Sequence, residues 1–134
     1  MIPEDRNTMS TILIVEDNEK NMKLVRDILQ HAGHATLEAA TGREGVRLAL
    51  EGRPDLVLMD IQLPDIDGIA VLREIRRNTA LDAVPVLAVS ASVMPDEQQK
   101  IVSSGFDAFI TKPIQLQQFR ETVQRMLREG RPGS

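Results

Sequence analysis

Apolar residues in this chain gather into short unbroken runs, and stretches of helical spacing separate one run from the next. Thr11-Ile12-Leu13-Ile14-Val15 stops at Glu16-Asp17, and Leu56-Val57-Leu58-Met59 stops at Asp60. Val86-Leu87-Ala88-Val89 stops at Ser90-Ala91, and Ala108-Phe109-Ile110 runs into Thr111-Lys112-Pro113. Runs without polar alternation are what parallel strands buried on both faces require. A weaker segment, Ala35–Ala39, reads as an edge strand of the same sheet.

The intervening segments carry helix punctuation. Asn18 is placed to cap a helix with Met22, Val25, Ile28, Leu29 and Ala32 on one face, ended by Gly33. Thr41 and Glu44 have capping-box spacing and open a second helix through Leu48 and Leu50, closed by Gly52. Pro64 and Gly68 punctuate a loop before a third, with Ile69, Leu72 and Ile75. Pro95 suits the first turn of a fourth, where Asp96 and Glu97 face its positive end and Gly105 stops it. This fourth helix has a poor apolar stripe, Ile101 and Val102 among polar residues, which fits a partly exposed element. The last helix presents Leu116, Phe119, Val123, Met126 and Leu127. Strands alternating with helices predict an α/β fold with a doubly wound parallel sheet. One domain over residues 10–129 is expected, with residues 1–9 and 130–134, which lack periodicity, as tails.

Composition narrows the classes. At 134 residues the chain is large enough for one real core, and with no Trp or Tyr and three Phe that core is aliphatic. The formal net charge is −4 and the basic residues are scattered, which argues against direct nucleic-acid binding. There is no cysteine, hence no disulfide framework or thiolate metal site, and the expected compartment is the cytoplasm. No apolar run approaches the roughly 20 residues of a membrane span, and Met1-Ile2-Pro3-Glu4-Asp5-Arg6 is not a signal-peptide start.

Ligand crevices of open α/β sheets lie outside the carboxyl ends of the strands. Glu16, Asp17, Asp60, Ser90 and Lys112 all fall at such ends, so three carboxylates, a hydroxyl and an ammonium should meet in one small crevice. Carboxylates in that number repel one another without a cation, and magnesium takes oxygen ligands and favours sites completed by phosphate oxygens. The pattern points to phosphoryl chemistry with Mg2+.

In this order the motifs, ILIVEDN, LVLMDIQLPDIDG, Ser90-Ala91 and Lys112-Pro113, resemble the receiver domain of two-component response regulators over residues 10–129. The first strand and helix, ILIVEDNEKNMKLVRDIL, look most like stand-alone receivers of the DivK type. The resemblance implies a five-stranded flavodoxin-like sheet in order 2-1-3-4-5, with Asp60 as the phosphoryl acceptor. It implies a metal held by Glu16, Asp17, Asp60 and the backbone carbonyl of Gln62. Lys112 is expected to bridge to a phosphoryl oxygen, and Ser90 to hydrogen-bond the phosphoryl group and draw its loop inward. Phe109 stands where receivers carry a switch aromatic; lacking a hydroxyl, it would switch by packing, and a plain core Phe is the competing reading. Gln62 and Ser92 are placed to tune the phosphoryl lifetime. A cis Lys112–Pro113 bond is expected, because Lys112 must point into the crevice while the chain turns at Pro113. His31 and His34 flank Gly33 at the wrong end of the first helix for the crevice, and C-terminal capping is their expected role.

Other readings fare less well. A haloacid-dehalogenase-type phosphatase needs a second Asp two residues after the nucleophile, where this chain has Gln62. A nucleotide-binding fold wants a glycine-rich first turn, whereas Glu16-Asp17-Asn18-Glu19 is acidic. A DNA-binding response regulator would need an effector domain after the fifth helix, where only Gly130-Arg131-Pro132-Gly133-Ser134 stands. The expected function is a phosphoacceptor signalling protein rather than a turnover enzyme, fed by a histidine kinase or phosphotransfer protein. The donor is expected on the first helix and the loop after Lys112. Output is expected through protein contacts on the helix 4–strand 5–helix 5 surface. A receiver-shaped interaction module that no longer takes phosphate is the alternative; loss of the acids or of Lys112 would mark it.

Overall fold

A computed structural model describes residues 10–91 and 94–131. Its strands are β1 (Thr11–Val15), β2 (Ala35–Ala39), β3 (Leu56–Asp60), β4 (Val86–Ser90) and β5 (Ala108–Thr111). The helices are α1 (Glu19–His31), α2 (Gly42–Gly52), α3 (Gly68–Arg76), α4 (Pro95–Ser103) and α5 (Leu116–Glu129), and a 3₁₀ turn spans Thr79–Leu81. All strand pairs are parallel, in the order β2-β1-β3-β4-β5.

The unbroken apolar runs follow from this layering. Successive strand side chains point to opposite faces, so the sheet divides the core in two. Leu13, Val15, Val57, Met59, Val86 and Ala88 pack with Ala49 of α2, with Val71, Leu72 and Ile75 of α3, and with Ile101 of α4. Ile12, Ile14, Leu56, Leu58, Leu87 and Val89 pack with Met22, Val25 and Leu29 of α1 and Phe119, Val123 and Met126 of α5. Every residue of β3 and β4 is therefore buried, whereas edge strand β2 is buried only at Ala39.

The caps follow the sequence at most ends. Asn18 accepts the Asn21 N–H at 3.0 Å, Thr41 the Glu44 N–H at 3.1 Å, and Asp67 the Ala70 N–H at 2.9 Å. The α1 end is a Schellman turn: Gly33 takes φ 98°, its N–H donates to the Gln30 carbonyl, and the His34 N–H donates to that of Leu29. The Lys112–Pro113 bond is cis.

Three details differ from the sequence expectation. Gly52 is the last residue of α2 rather than its stop, and Arg53 takes the left-handed cap at φ 46°. The helix lies so close to β2 that a Cβ on Gly52 would sit 2.5 Å from Leu37 Cδ1. The His34 backbone N–H serves the helix end, while its buried ring reaches the start of β1, where Nδ1 accepts the Ser10 N–H at 3.3 Å. Arg131, assigned to a tail, is tied to Asp107 at 3.1 Å and to the Asp82 carbonyl at 2.6 Å. Residues 1–9, Ser92 and residues 132–134 lie outside the described residues.

Candidate functional site at the carboxyl edge of the sheet

Strand register builds the site. Val15 at the end of β1 pairs with Met59, and Asp60 at the end of β3 pairs with Val89. Ser90 at the end of β4 pairs with Thr111. Glu16, Asp60, Ser90 and Lys112 therefore occupy neighbouring positions along one edge, though they come from four separate segments.

Lys112 Nζ lies 3.1 Å from both Asp60 Oδ2 and Glu16 Oε1. The other oxygens are held by backbone: Asp60 Oδ1 accepts the Gln62 N–H at 3.1 Å and Glu16 Oε2 the Asn18 N–H at 3.1 Å. Asp60 and Glu16 are each 5% exposed, while Asp17 is open to solvent. One oxygen from each of Glu16, Asp17 and Asp60 falls within a 4.8 Å cluster. Asn21, Gln62, Leu63 and Pro64 complete the cleft.

Three carboxylates against one ammonium leave two formal negative charges. Burial pushes the Glu16 carboxyl up; the Asn18 N–H opposes this, neighbouring Asp60 adds to it, and Lys112 partly relieves it. Burial alone would pull the Lys112 ammonium down, but Asp60 and Glu16 outweigh it and its pKa is raised. Lys112 is thus a fixed cation in a site still short of positive charge. Among the described residues this is the one acidic grouping compact enough to chelate an ion, and its donors are all oxygen, as a hard divalent cation prefers.

Ser90 is buried and its carbonyl accepts the Lys112 N–H at 2.9 Å, locking β5 to β4 just before the lysine. Phe109 is not in the cleft. It is half-buried on the sheet face under α4 and walls a groove with Pro95, Gln98, Gln99, Val102 and Ser103. Two contributors escaped the sequence reading. Asn18 caps α1 with its side chain, and its N–H also orients Glu16. Asp65, three residues after Gln62, bonds the start of α2 from 22 residues away, and no local pattern announces such a contact.

Residues 12–124 match the response regulator receiver domain family. The chain belongs to that family. It is 43% identical over 117 residues to the polar-differentiation response regulator DivK of Brucella anthropi, covering 87% of this chain and 95% of that one. DivK of Brucella ovis is 42% identical with the same coverage. The receiver domain of the Pseudomonas aeruginosa sensor histidine kinase PA1611, solved with magnesium in its active-site cleft, superposes with a TM-score of 0.84 at 30% identity, covering 91% of this chain and all of that one. The Vibrio cholerae chemotaxis response regulator CheY4 gives 0.83 at 27% identity, covering 88% and 98%. This receiver is therefore a two-component signalling protein of DivK-like sequence, and its family works with histidine kinases or phosphotransfer proteins. No helix among the described residues is long and apolar enough to cross a membrane.

Proposed function

We propose that this receiver is a single-domain response regulator that takes a phosphoryl group on Asp60 in a magnesium-dependent reaction and signals through altered protein contacts. The observation that carries the reading is the Asp60 carboxylate, nearly buried, 3.1 Å from Lys112 Nζ, and clustered with two further acids. A buried carboxylate in this setting is a nucleophile with a charge partner rather than a solvated strand end. One of its oxygens attacks phosphorus to form an acyl phosphate, and the bond from phosphorus to the donor's leaving atom, an imidazole nitrogen for phosphohistidine, breaks. Phosphoryl transfer needs positioning and neutralised charge more than covalent help. Lys112, already charged between Asp60 and Glu16, needs only a small move to bridge to a phosphoryl oxygen.

The residues present fit Mg2+. Glu16, Asp17, Asp60 and the Gln62 carbonyl would hold it, with exposed Asp17 leaving room for the waters magnesium retains. When bound, the ion supplies positive charge to the carboxylates and to the phosphoryl oxygens. Ser90 is the hydroxyl that would engage the phosphoryl group, and Gln62 sits where it can tune its lifetime; Ser92, assigned the same role, lies outside the described residues. Phe109, under α4, would repack when the Ser90 loop moves, which links the site to the α4–β5–α5 surface. The donor would dock on α1 and the loop after Lys112, in the cytoplasm. The phosphorylation-independent module would be marked by a missing acid or lysine, and all are in place.

Intact-mass spectrometry after incubation with acetyl phosphate or phosphoramidate and magnesium should show one added phosphoryl group, labile to base. Asp60→Asn keeps the shape and removes the nucleophile, so the label should vanish. Undiminished labelling of the variant would refute the assignment, and an unlabelled wild type would favour the interaction module.

A further inference from the structure

The loop between β3 and α3 carries Gln62, whose N–H donates to Asp60 Oδ1, and what holds this loop in place is outside the cleft. Asp65 accepts two backbone N–H groups from the start of α2, Gly42 at 2.8 Å and Arg43 at 3.0 Å, one on each carboxylate oxygen. Its neighbour Ile66 lies against the same helix end, so closely that a Cβ on Gly42 would sit 2.6 Å from Ile66 Cγ1 and 2.7 Å from Val71 Cγ2. At the loop's other end the Gly68 N–H donates to the Ile61 carbonyl at 2.9 Å and the Gln62 N–H to Asp60 Oδ1. The segment from Ile61 to Gly68 is thus fixed at its root by its own backbone and at its tip by the Asp65 fork.

We propose that Asp65 is a positioning residue for the metal site, docking the β3–α3 loop on the N-terminus of α2 so that the Gln62 backbone is held in register with Asp60. The inference rests on the reading of this cleft as a magnesium and phosphoryl site. The fork has the chemistry for it. The two N–H groups belong to helix-terminal residues with no intrahelical acceptor, and a carboxylate at a helix's positive end is favoured by charge as well as by hydrogen bonding. Those same N–H groups hold the Asp65 carboxyl below the usual carboxylate range, as a carboxylate bonded at both oxygens should be. The Arg43 side chain adds little, since its Nε is 4.0 Å away and the side chain is 79% exposed. The helix also keeps its own cap, Thr41, on a different N–H. The two devices at this helix end can therefore be separated.

Magnesium titration by calorimetry, well below the melting temperature, tests this on four proteins: wild type, Asp65→Ala, Asp65→Asn and Thr41→Ala. Asp65→Ala is expected to raise the magnesium dissociation constant about tenfold, the low end for residues that orient metal ligands indirectly. Asp65→Asn keeps one acceptor and should fall between it and wild type. Thr41→Ala removes a cap from the same helix without touching the loop, so it should lower the melting temperature and leave the dissociation constant where it was. The inference is overturned if Asp65→Ala binds magnesium as wild type does, or if Thr41→Ala weakens binding equally, which would make the effect one of helix stability. A wild type that binds no magnesium overturns the reading of the cleft itself, and the Asp65 assignment with it.

Discussion

Two clusters of charge sit at opposite ends of the same sheet, and they are built on opposite principles. At the carboxyl edge, Glu16 and Asp60 share the Lys112 ammonium, and Asp17 adds a third carboxylate beside them. At the amino edge, the Asp107 carboxylate, 6% exposed, meets two guanidiniums, Arg76 at 3.0 Å and Arg131 at 3.1 Å. It also accepts the Val86 N–H at 2.9 Å, while Arg76 donates to the Leu81 carbonyl and Arg131 to that of Asp82. There the acid is surrounded by donors and each cation also donates to a backbone carbonyl; among the described residues Arg76 Nε is the one buried side-chain nitrogen or oxygen without a hydrogen-bond partner. The amino-edge cluster is closed: it joins the end of α3, the starts of β4 and β5, and the segment after α5. The carboxyl-edge cluster is open, with acids in excess and one of them in solvent. A closed cluster holds a fold together, and an open one keeps the deficit of positive charge that the proposed cation would fill.

The largest effect is expected from Asp107→Ala. Removing the shared acid takes from Arg76 and Arg131 the carboxylate that both contact and frees the Val86 N–H. Burial, then the nearness of Arg131, already depresses the Arg76 pKa. Breaking a buried pair by deleting one partner costs about 3–5 kcal/mol, and because Arg76 and Arg131 keep some exposure the low end, about 3 kcal/mol, is expected here. Urea unfolding should show this, while phosphorylation by acetyl phosphate below the melting temperature stays close to wild type. A mild loss of stability with a large loss of labelling would mean that the two ends are not separable.

The opposite result is expected from the open cluster. Magnesium at ten times its dissociation constant should stabilise the wild type by about 1.4 kcal/mol through ligand linkage. Asp17→Asn removes one of the repelling charges and a ligand together. Metal-free stability should hold or rise, and the magnesium-induced shift in melting temperature should shrink. An undiminished shift would place the ion elsewhere.

The two ends also differ in how much of them the sequence disclosed. Glu16, Asp60, Ser90 and Lys112 could be read because each follows its own apolar run, and parallel topology alone brings run ends together. Phe109 is read as a switch aromatic only from its spacing before Lys112; side-chain alternation sets it under α4, on the edge strand β5. Asp107, Arg76 and Arg131 gave no such signal. Each looks like an ordinary charged residue at the end of an element, and their partners lie 24 and 31 residues away with no periodicity linking them. Asp65 is the same case within the site. Gly52 misled for a different reason: a glycine near a helix end usually supplies the left-handed cap, and here it supplies close packing against Leu37 instead.

The smallest effect expected concerns pH and isolates the cost of the open cluster. Glu16 has its pKa raised in the folded protein, chiefly by burial, with the Asn18 N–H opposing and Asp60 reinforcing. A carboxyl raised on folding binds its proton more tightly in the native state than in the unfolded chain, so its ionisation opposes folding. The contribution is fully present below the unfolded value, about 4.3, and is lost as pH rises through the raised folded value. Glu16→Gln mimics the protonated acid at every pH. In metal-free buffer the variant's stability relative to wild type should therefore grow as pH climbs out of the acid range and level off once Glu16 is ionised in both states. Lys112 does not blur this window. Its raised pKa keeps it charged throughout, and its own contribution is lost only in strong alkali, above the folded value. The gain should be small, because the Asn18 N–H and Lys112 already offset part of the penalty, and magnesium should cancel or reverse it by stabilising the wild-type carboxylate. Melting curves of both proteins across the acid-to-neutral range, with and without magnesium, decide the point. A difference that shrinks with rising pH in metal-free buffer would mean that the Glu16–Lys112 contact outweighs burial, and the carboxyl-edge cluster would then be as closed as the one around Asp107.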